Sequence, residues 1–472
     1  MIASAAKWYG ASHILKHLIV WITLLLYAKY LQPEQYGTLI ILSIVNGVIL
    51  LVKDFGLGAA LIKSDRDDNL YYSSLYWLNL TISFFCFILL FLSADLSRLL
   101  YKNDELSELI QIVSINFLIL GVSGLKISSL EKNFKFKTIA AIEIISVVLA
   151  SLIGVYFAIK GYESWAYVIH VVIQSAVLML LLVFYSGRDL ILHFDWSDIK
   201  GIRKFSGNLM GYSIFNYSMR NMDSIIIGGV LGEAALGLYS LAFRIVLYPI
   251  QTISVISQRV LFPIFSRIKD ERKFKRLYIK ITILLSVLLF PLYVLLYFVG
   301  PELIAFGFGS EWVGSIQLLN ILIPIGLLQV IVAPVGVIYQ AKGRTDLLFR
   351  WGVISSVATL LMLMISINWG IAGVAIGFLL VTLLLFVPAL MIPFSLMGSK
   401  ISELFIALWK PIGIVIFSFV FSVVLSMFID TGNYVFSIMI TPVVFVGVCL
   451  AMMCVYEKSL VKEILQTLGV IK

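Results

Sequence analysis

Apolar stretches of membrane-spanning length follow one another along almost the whole chain, and that tiling leaves it few folds. A helical span needs about 20 apolar residues, because roughly 30 Å of hydrocarbon is crossed at about 1.5 Å per residue. The pattern predicts fourteen such helices, at about 14–31, 38–62, 73–94, 109–130, 138–160, 164–186, 206–231, 236–262, 277–299, 313–340, 348–369, 371–394, 407–429 and 434–456. Little of the 472 residues is left for a soluble domain. With 61% apolar and 13% charged residues, the composition is far from a soluble domain at about 45–50% and 25%. The expected fold class is an all-α integral membrane protein. The first span runs straight into the turn Pro33-Glu34-Gln35-Tyr36-Gly37, so it reads as a first transmembrane helix rather than a cleaved signal.

The net charge of +9 is mostly topology. With the N-terminus in the cytoplasm, the cytoplasmic segments carry 23 of the 35 Lys and Arg. The opposite loops carry three, Arg98, Lys102 and Lys160. Such a bias across short loops fixes orientation, and an even number of spans puts both termini in the cytoplasm. A nucleic-acid partner has little support. Cys86, Cys449 and Cys454 all fall in apolar segments and suggest neither a disulfide framework nor a metal site. His13 and His17 are spaced i,i+4 but lack further ligand-type neighbours, so an interfacial pair is expected. His170 reads as a hydrogen-bonded packing residue.

Two blocks of six helices look like copies of each other. Residues 31–37 and 231–237 form matching turns at an offset of 200, and residues 161–166 and 370–375 match at 209. The basic turns Lys132-Asn133 and Lys342-Gly343 match at 210. An even number of helices per block gives parallel repeats, related by an axis along the membrane normal. The expected organisation is therefore helices 1–6 in 1–186, a cytoplasmic amphipathic linker at 187–205, helices 7–12 in 206–394, and two appended helices with a tail in 395–472. Ser197 is the expected N-cap of a short linker helix ending near Lys204.

Apart from Lys29, Lys280 and Lys410, placed to snorkel from helix ends, and Arg350 at the cytoplasmic start of its span, six basic side chains sit inside these spans: Lys16, Lys53, Lys126, Arg220, Arg244 and Arg259. A cation there costs at least about 2.5–3.5 kcal/mol, so it faces a protein interior or a wet cavity. On one continuous helix over 206–231, Tyr212, Asn216, Arg220 and Asp223 make a single stripe. On the next helix, Arg244, Tyr248, Gln251 and Gln258 make another, with Arg244 at a depth close to that of Arg220. Two guanidinium groups at matched depth suit an anion between them, such as a phosphate held bidentately, and an Arg220–Asp223 ion pair is the competing assignment. Lys53 and Asn46 share a face, with Asp54 next in sequence. Glu143 is expected to pair with Lys126 or Lys53, or to relay a proton. Lys16, Lys126 and Arg259 lie near the cytoplasmic end, where they could attract an anion or snorkel. The candidate anion site is thus Arg220, Arg244, Lys53, Lys16 and Lys126. Asn46, Asn216, Tyr248 and Gln251 are its polar lining, and Asp223, Asp54 and Glu143 its coupling or pairing acids. No catalytic, cofactor or metal signature accompanies them.

The motif set Tyr30 through Gly37, Asp54-Phe55-Gly56-Leu57, Asp223 through Gly228, Leu236-Gly237-Leu238-Tyr239 and Gly161 through Ala166 resembles the polysaccharide transporter family of Wzx-type flippases. The resemblance covers nearly the whole chain. It implies a V-shaped transporter of two six-helix lobes with alternating access, in the superfamily that includes multidrug extruders and peptidoglycan lipid flippases. It also implies a polyprenyl-diphosphate-linked oligosaccharide as cargo, moved to the outer leaflet of a bacterial inner membrane, with polymerase and export machinery as partners. Two other readings stay open. A cation-coupled drug extruder should have an acid-rich site, whereas here intrahelical basic groups outnumber acids six to three. A membrane enzyme of polysaccharide assembly would need larger outer loops.

Overall fold

A computed structural model describes residues 2–53, 55–64, 66, 68–185, 190–200, 203–428 and 434–456. Every regular element among them is helical. The chain packs as two compact units, Met1–Ser240 and Leu241–Lys472. The first holds α1 (Ile2–Tyr30), α2 (Pro33–Val52), α3 (Leu57–Lys63), α4 (Asn69–Ser93), α5 (Leu96–Tyr101) and α6 (Asp104–Ser114). It continues with α7 (Asn116–Lys132), α8 (Phe136–Ile159), α9 (Trp165–Tyr185), α10 (Trp196–Lys200), α11 (Arg203–Arg220) and α12 (Met222–Leu231). The division falls inside α13 (Glu233–Phe265). The second unit adds α14 (Glu271–Gly307), α15 (Gly314–Val332), α16 (Val335–Ala341), α17 (Thr345–Ser366), α18 (Gly370–Leu396), α19 (Ile401–Phe428) and α20 (Tyr434–Tyr456). The partition into six-helix repeats follows sequence similarity, so it is a different division from this one by packing.

Nine stretches among the described residues are long and apolar enough to cross a membrane, and two shorter apolar helices accompany them. One of the nine covers both α17 and α18. Several helices expected to be continuous are broken. The helix over 38–62 stops at Lys53 and resumes at Leu57, with Phe55 and Gly56 both left-handed at φ 49° and 70°. The helix over 109–130 is interrupted at Ile115, and that over 206–231 at Asn221. The helix over 313–340 is interrupted at Ala333-Pro334, where proline removes a donor and clashes with the preceding turn. At the N-terminus, α1 starts at Ile2, well before residue 14.

Local chemistry recurs at the corresponding turns of the two blocks. Asp68 caps α4 by accepting from the Tyr71 amide, and Asp270 caps α14 by accepting from Arg272 and Lys273. Gly161 and Gly370 both turn with positive φ, 81° and 71°. The left-handed residues that end α7 and α16 are Phe134 and Gly343, at φ 55° and 67°. Their separation sets the offset of this basic turn at 209, matching the Gly161/Gly370 turn and correcting the expected 210. Lys132 Nζ donates to the carbonyls of Ser64, at 2.9 Å, and Arg66. Lys342 Nζ pairs with the Glu271 carboxylate at 2.6 Å. Each lysine ties the end of one helix to the approach to another, α7 to α4 and α16 to α14.

The two hairpin turns of the repeat meet within the first unit. A side chain on Gly37 would overlap the backbone carbonyl of Glu233, and one on Gly237 would overlap that of Pro33. Each turn thus places its first helical carbonyl on the other's glycine, four residues into the helix. Only a hydrogen in place of Cβ permits that approach.

Residues 190–200 dock on the start of α4 instead of hanging free. Trp77 Nε1 donates to the Ile191 carbonyl at 2.9 Å, and Ser73 and Ser74 accept from the Ile191 and Asp195 amides. Asp195 accepts from the Ser197 amide at 2.8 Å, so it takes the capping role expected of Ser197; the expected end near Lys204 adjoins residues 201–202, which lie outside the described residues. Arg66 bonds both Asp68 and Asp198, the latter at 2.6 Å. The Arg66 guanidinium, helped by the Tyr71 amide, holds the Asp68 carboxyl down at about 2. That value lies below the ordinary 3.8, so the stabilisation is present above about pH 4 and is lost as the pH falls toward 2. Hydrogen-exchange protection of the Ile191 and Asp195 amides should fall across that window, and Arg66→Ala should abolish the fall.

In the second unit Tyr293 Oη donates to the Val246 carbonyl at 2.6 Å, joining α14 to α13. The appended helices α19 and α20 pack on α14, where Phe298 lies 5.2 Å from Phe419 and 5.9 Å from Phe445. An apolar cavity of about 390 Å³ opens among α14, α15 and α19, with Phe290, Tyr297, Leu327, Ile331, Val415 and Phe419 on its walls.

Candidate functional site: cations at broken helices

The polar groups of the first unit are organised by the approach of α11 to α2. Tyr217 Oη reaches the Ser43 and Ile44 carbonyls at 3.5 and 3.3 Å, and a side chain on Gly47 would overlap the phenol. At the far end, Ser206 Oγ donates to the Gly56 carbonyl at 3.3 Å. These two contacts make the helices antiparallel and set Asn216 at the level of Asn46. Lys53 lies two turns away along α2, about 10 Å. Arg220 lies one turn beyond Asn216 in the other direction. Asn46 Oδ1 also accepts from Asn116 Nδ2 at 3.2 Å, which brings the start of α7 to the same level.

Arg220 is exposed at the last residue of α11, and Asp223 is in the first turn of α12. The break at Asn221 therefore changes the stripe that one continuous helix would present. Among the described residues no ion pair joins Arg220 to Asp223. Asp223 Oδ2 accepts from Tyr239 Oη at 3.3 Å, and Ser224 Oγ approaches its other oxygen at 3.5 Å. Each charge instead complements a helix end, since a C-terminus attracts a cation and an N-terminus an anion. Half-buried Lys53 occupies the same kind of place, at the C-cap of α2.

The other expected cations are placed differently. Lys16 Nζ pairs with Glu143 Oε1 at 3.0 Å, with side chains 27% and 21% exposed. This corrects the expectation that Glu143 would meet Lys126 or Lys53. Helices α1 and α8 pack closely, whereas α2, which Lys53 caps, is not among the close neighbours of α8. Lys126 is buried at 5% exposure, its ammonium 6.0 Å from the Tyr76 ring, and so does not snorkel. Arg244 is half-buried in the second unit, in the turn before Tyr293's anchor on Val246. Arg220 belongs to the first unit, so their pairing stays a reading of the sequence. Asp54 and the side chains of His13, Tyr212, Tyr248, Gln251, Gln258 and Arg259 lie outside the described residues.

Sequence reasoning missed the breaks themselves. Gly56 and Pro334 were signals for two of them; Ile115 has none. Buried Asn79 donates to the Gly121 carbonyl at 2.9 Å and serves α4–α7 packing. His170 does pack as expected, with its Nδ1 3.3 Å from Tyr27 Oη. Among the described residues no group of His, Cys, Asp and Glu could hold a metal ion.

Interrupted apolar helices, with charges at the interruptions, define a polytopic membrane protein of the transporter type. Comparison with known proteins makes the assignment specific: the chain belongs to the family described as "Polysaccharide biosynthesis protein", whose sequence model matches residues 26–317. It is 33% identical over 356 residues to the teichuronic acid biosynthesis protein TuaB of Bacillus subtilis (strain 168), covering 74% of this chain and 73% of that one. It is 26% identical to the lipopolysaccharide biosynthesis protein WzxC of Escherichia coli (strain K12), covering 86% and 84%. Its fold matches that of the lipid II flippase MurJ in an inward closed conformation, with a TM-score of 0.72 at 16% identity over 96% and 99% of the two chains.

Proposed function

We propose that this protein is a flippase that moves a polyprenyl-diphosphate-linked oligosaccharide repeat unit from the cytoplasmic to the outer leaflet by alternating access, for surface polysaccharide synthesis. The observation that carries the reading is the placement of basic residues at helix breaks. Lys53 and Arg220 stand at the ends of α2 and α11, with Asn46, Asn116 and Asn216 between them in level. A helix break frees backbone groups inside the membrane, and cations beside it can meet a diphosphate while the amides meet hydroxyls. Arg244, in the second unit, is proposed as a further diphosphate ligand on its place in the sequence alone. The apolar cavity beside α19 has the character that a polyprenyl chain requires. Lys16, neutralised by Glu143, is withdrawn from the front rank of ligands. The protein acts without a catalytic step of its own, resides in a bacterial inner membrane and keeps both termini in the cytoplasm. A polymerase and export machinery receive the product.

The drug-extruder reading is supported by the fold match to a MATE family transporter, with a TM-score of 0.63 at 14% identity. An organic cation, however, would meet basic groups at the breaks. Reconstituted vesicles separate the readings. Arg220→Ala and Arg244→Ala should each lower translocation of the lipid-linked oligosaccharide at least about tenfold, the loss of one charge-assisted phosphate contact, at unchanged expression. Wild-type rates in both variants would remove the anion site. Drug efflux without lipid-linked oligosaccharide transport would favour the extruder.

A further inference from the structure

The meeting of the two hairpin turns contains a carboxyl group that the proposed transport site does not use. Glu233, the first residue of α13, is 6% exposed. Its Oε2 accepts from Thr38 Oγ1 at 2.7 Å and from Asn103 Nδ2 at 2.8 Å. Its Oε1 is buried and has no hydrogen-bond partner. The titratable groups facing it are Glu34 on α2, Tyr101 on α5 and Glu105 on α6, two acids and a phenol. Among the described residues no lysine or arginine pairs with it.

A carboxylate in this place has one solvated-type oxygen, satisfied by two donors, and one stripped of water with nothing in return. Its acidic neighbours repel it as well. The neutral acid keeps both bonds to Oε2 and removes the charge from the stripped oxygen. The start of α13 favours the anion through its helix dipole, but that effect is weaker than the loss of hydration. The closed contact is therefore a better host for the protonated group than for the ionised one. Separation of the turns would return both oxygens to water and reverse the preference.

We infer that Glu233 is a proton-operated latch on the outer face, holding the two turns together when protonated and releasing them when ionised. The inference rests on the alternating-access reading, in which the outer contact opens. On release, the O–H bond of the carboxyl breaks and the proton passes to water of the outer phase; closure reverses both steps. No proton crosses the membrane in this exchange. External acid biases the resting protein toward the outward-closed state.

The test is the accessibility of Ile41, which is 4% exposed and packs against Gly228 beside the contact. Ile41→Cys is placed in a chain whose Cys86, Cys449 and Cys454 are replaced by alanine. Right-side-out vesicles are labelled with a membrane-impermeant maleimide between pH 5 and 8, without cargo. The rate is normalised to a Lys102→Cys control on the exposed outer loop. The normalised rate should fall as the pH drops, by up to about tenfold per pH unit for one linked proton. Glu233→Gln should stay at the acid limit throughout. Asn103→Leu removes a donor to the ionised form and should move the midpoint upward in pH. A flat normalised rate in the parent, or a pH dependence that survives in Glu233→Gln, overturns the latch. Because no cargo is present, such a failure beside intact vesicle translocation leaves the flippase reading standing. Loss of translocation with the pH response intact would do the reverse.

Discussion

Alanine at Gly37 or Gly237 is expected to destabilise the folded protein by roughly 1–3 kcal/mol or more, the range for forcing atoms into a filled site. The new methyl group would overlap the Glu233 carbonyl in one case and the Pro33 carbonyl in the other. Both obstacles are backbone atoms at the start of a helix, so no side-chain rotation relieves the clash. Either helix must be pushed away, and that motion also pulls Thr38 and Asn103 from the Glu233 carboxyl group. Because the two clashes lie in one contact, the displacement caused by the first substitution makes room for the second. The double variant should therefore cost less than the sum of the two. Thermal unfolding in detergent measures all three. Gly211→Ala is the control: it lies in α11 with nothing within 4 Å of a new Cβ, and alanine's helix preference predicts a gain of about 1 kcal/mol there. Equal behaviour of Gly37→Ala and Gly211→Ala would show that the turns are not in contact.

The second large effect is expected at Lys16 and Glu143. Removing one member of a buried ion pair leaves a lone charge, which costs about 3–5 kcal/mol when burial is complete. These side chains retain 27% and 21% exposure, so on the order of 2 kcal/mol is the appropriate expectation. Lys16→Met should destabilise by about that amount, and Glu143→Leu similarly. The double variant should recover most of the loss, since two apolar side chains in an apolar membrane helix pair need no partner. Thermal unfolding reads the stability, and vesicle translocation reads the function. Recovery of both in the double variant would establish the pair as a fastener between α1 and α8. Stable protein that fails to translocate would return Lys16 to the list of diphosphate ligands.

The class of fold was open to inspection in the sequence because hydropathy is a local sum: each span carries its own apolar residues, whatever its neighbours are. The repeat was legible for a similar reason. Turns such as those at Gly161 and Gly370 need a positive φ, and glycine records that need at each copy. The register was less secure. Lysine performs the same tie at Lys132 and Lys342, but one position apart once the left-handed residues Phe134 and Gly343 are aligned.

The site was legible only as a set of residue types. Lys16, Lys53, Lys126 and Arg220 all looked like intramembrane cations, and along the sequence they differ only in depth. The packing separates them: a carboxylate for Lys16, a burial site beside an aromatic ring for Lys126, and helix ends for Lys53 and Arg220. The stripe drawn through Tyr212, Asn216, Arg220 and Asp223 assumed a continuous helix, and the break at Asn221 redirects its last member to Tyr239.

Apolar tiling by itself determined an all-helical membrane protein, and the basic residues within it marked where cations stand against the bilayer. Only the tertiary structure decided which of those cations are spent on a neighbour, where the helices break, and that the two matching turns close on each other through Gly37 and Gly237. The reason is that burial of a span is an energy of one helix against lipid. The fate of a charge is an energy between helices, and depends on which oxygen or ring lies within a few ångströms.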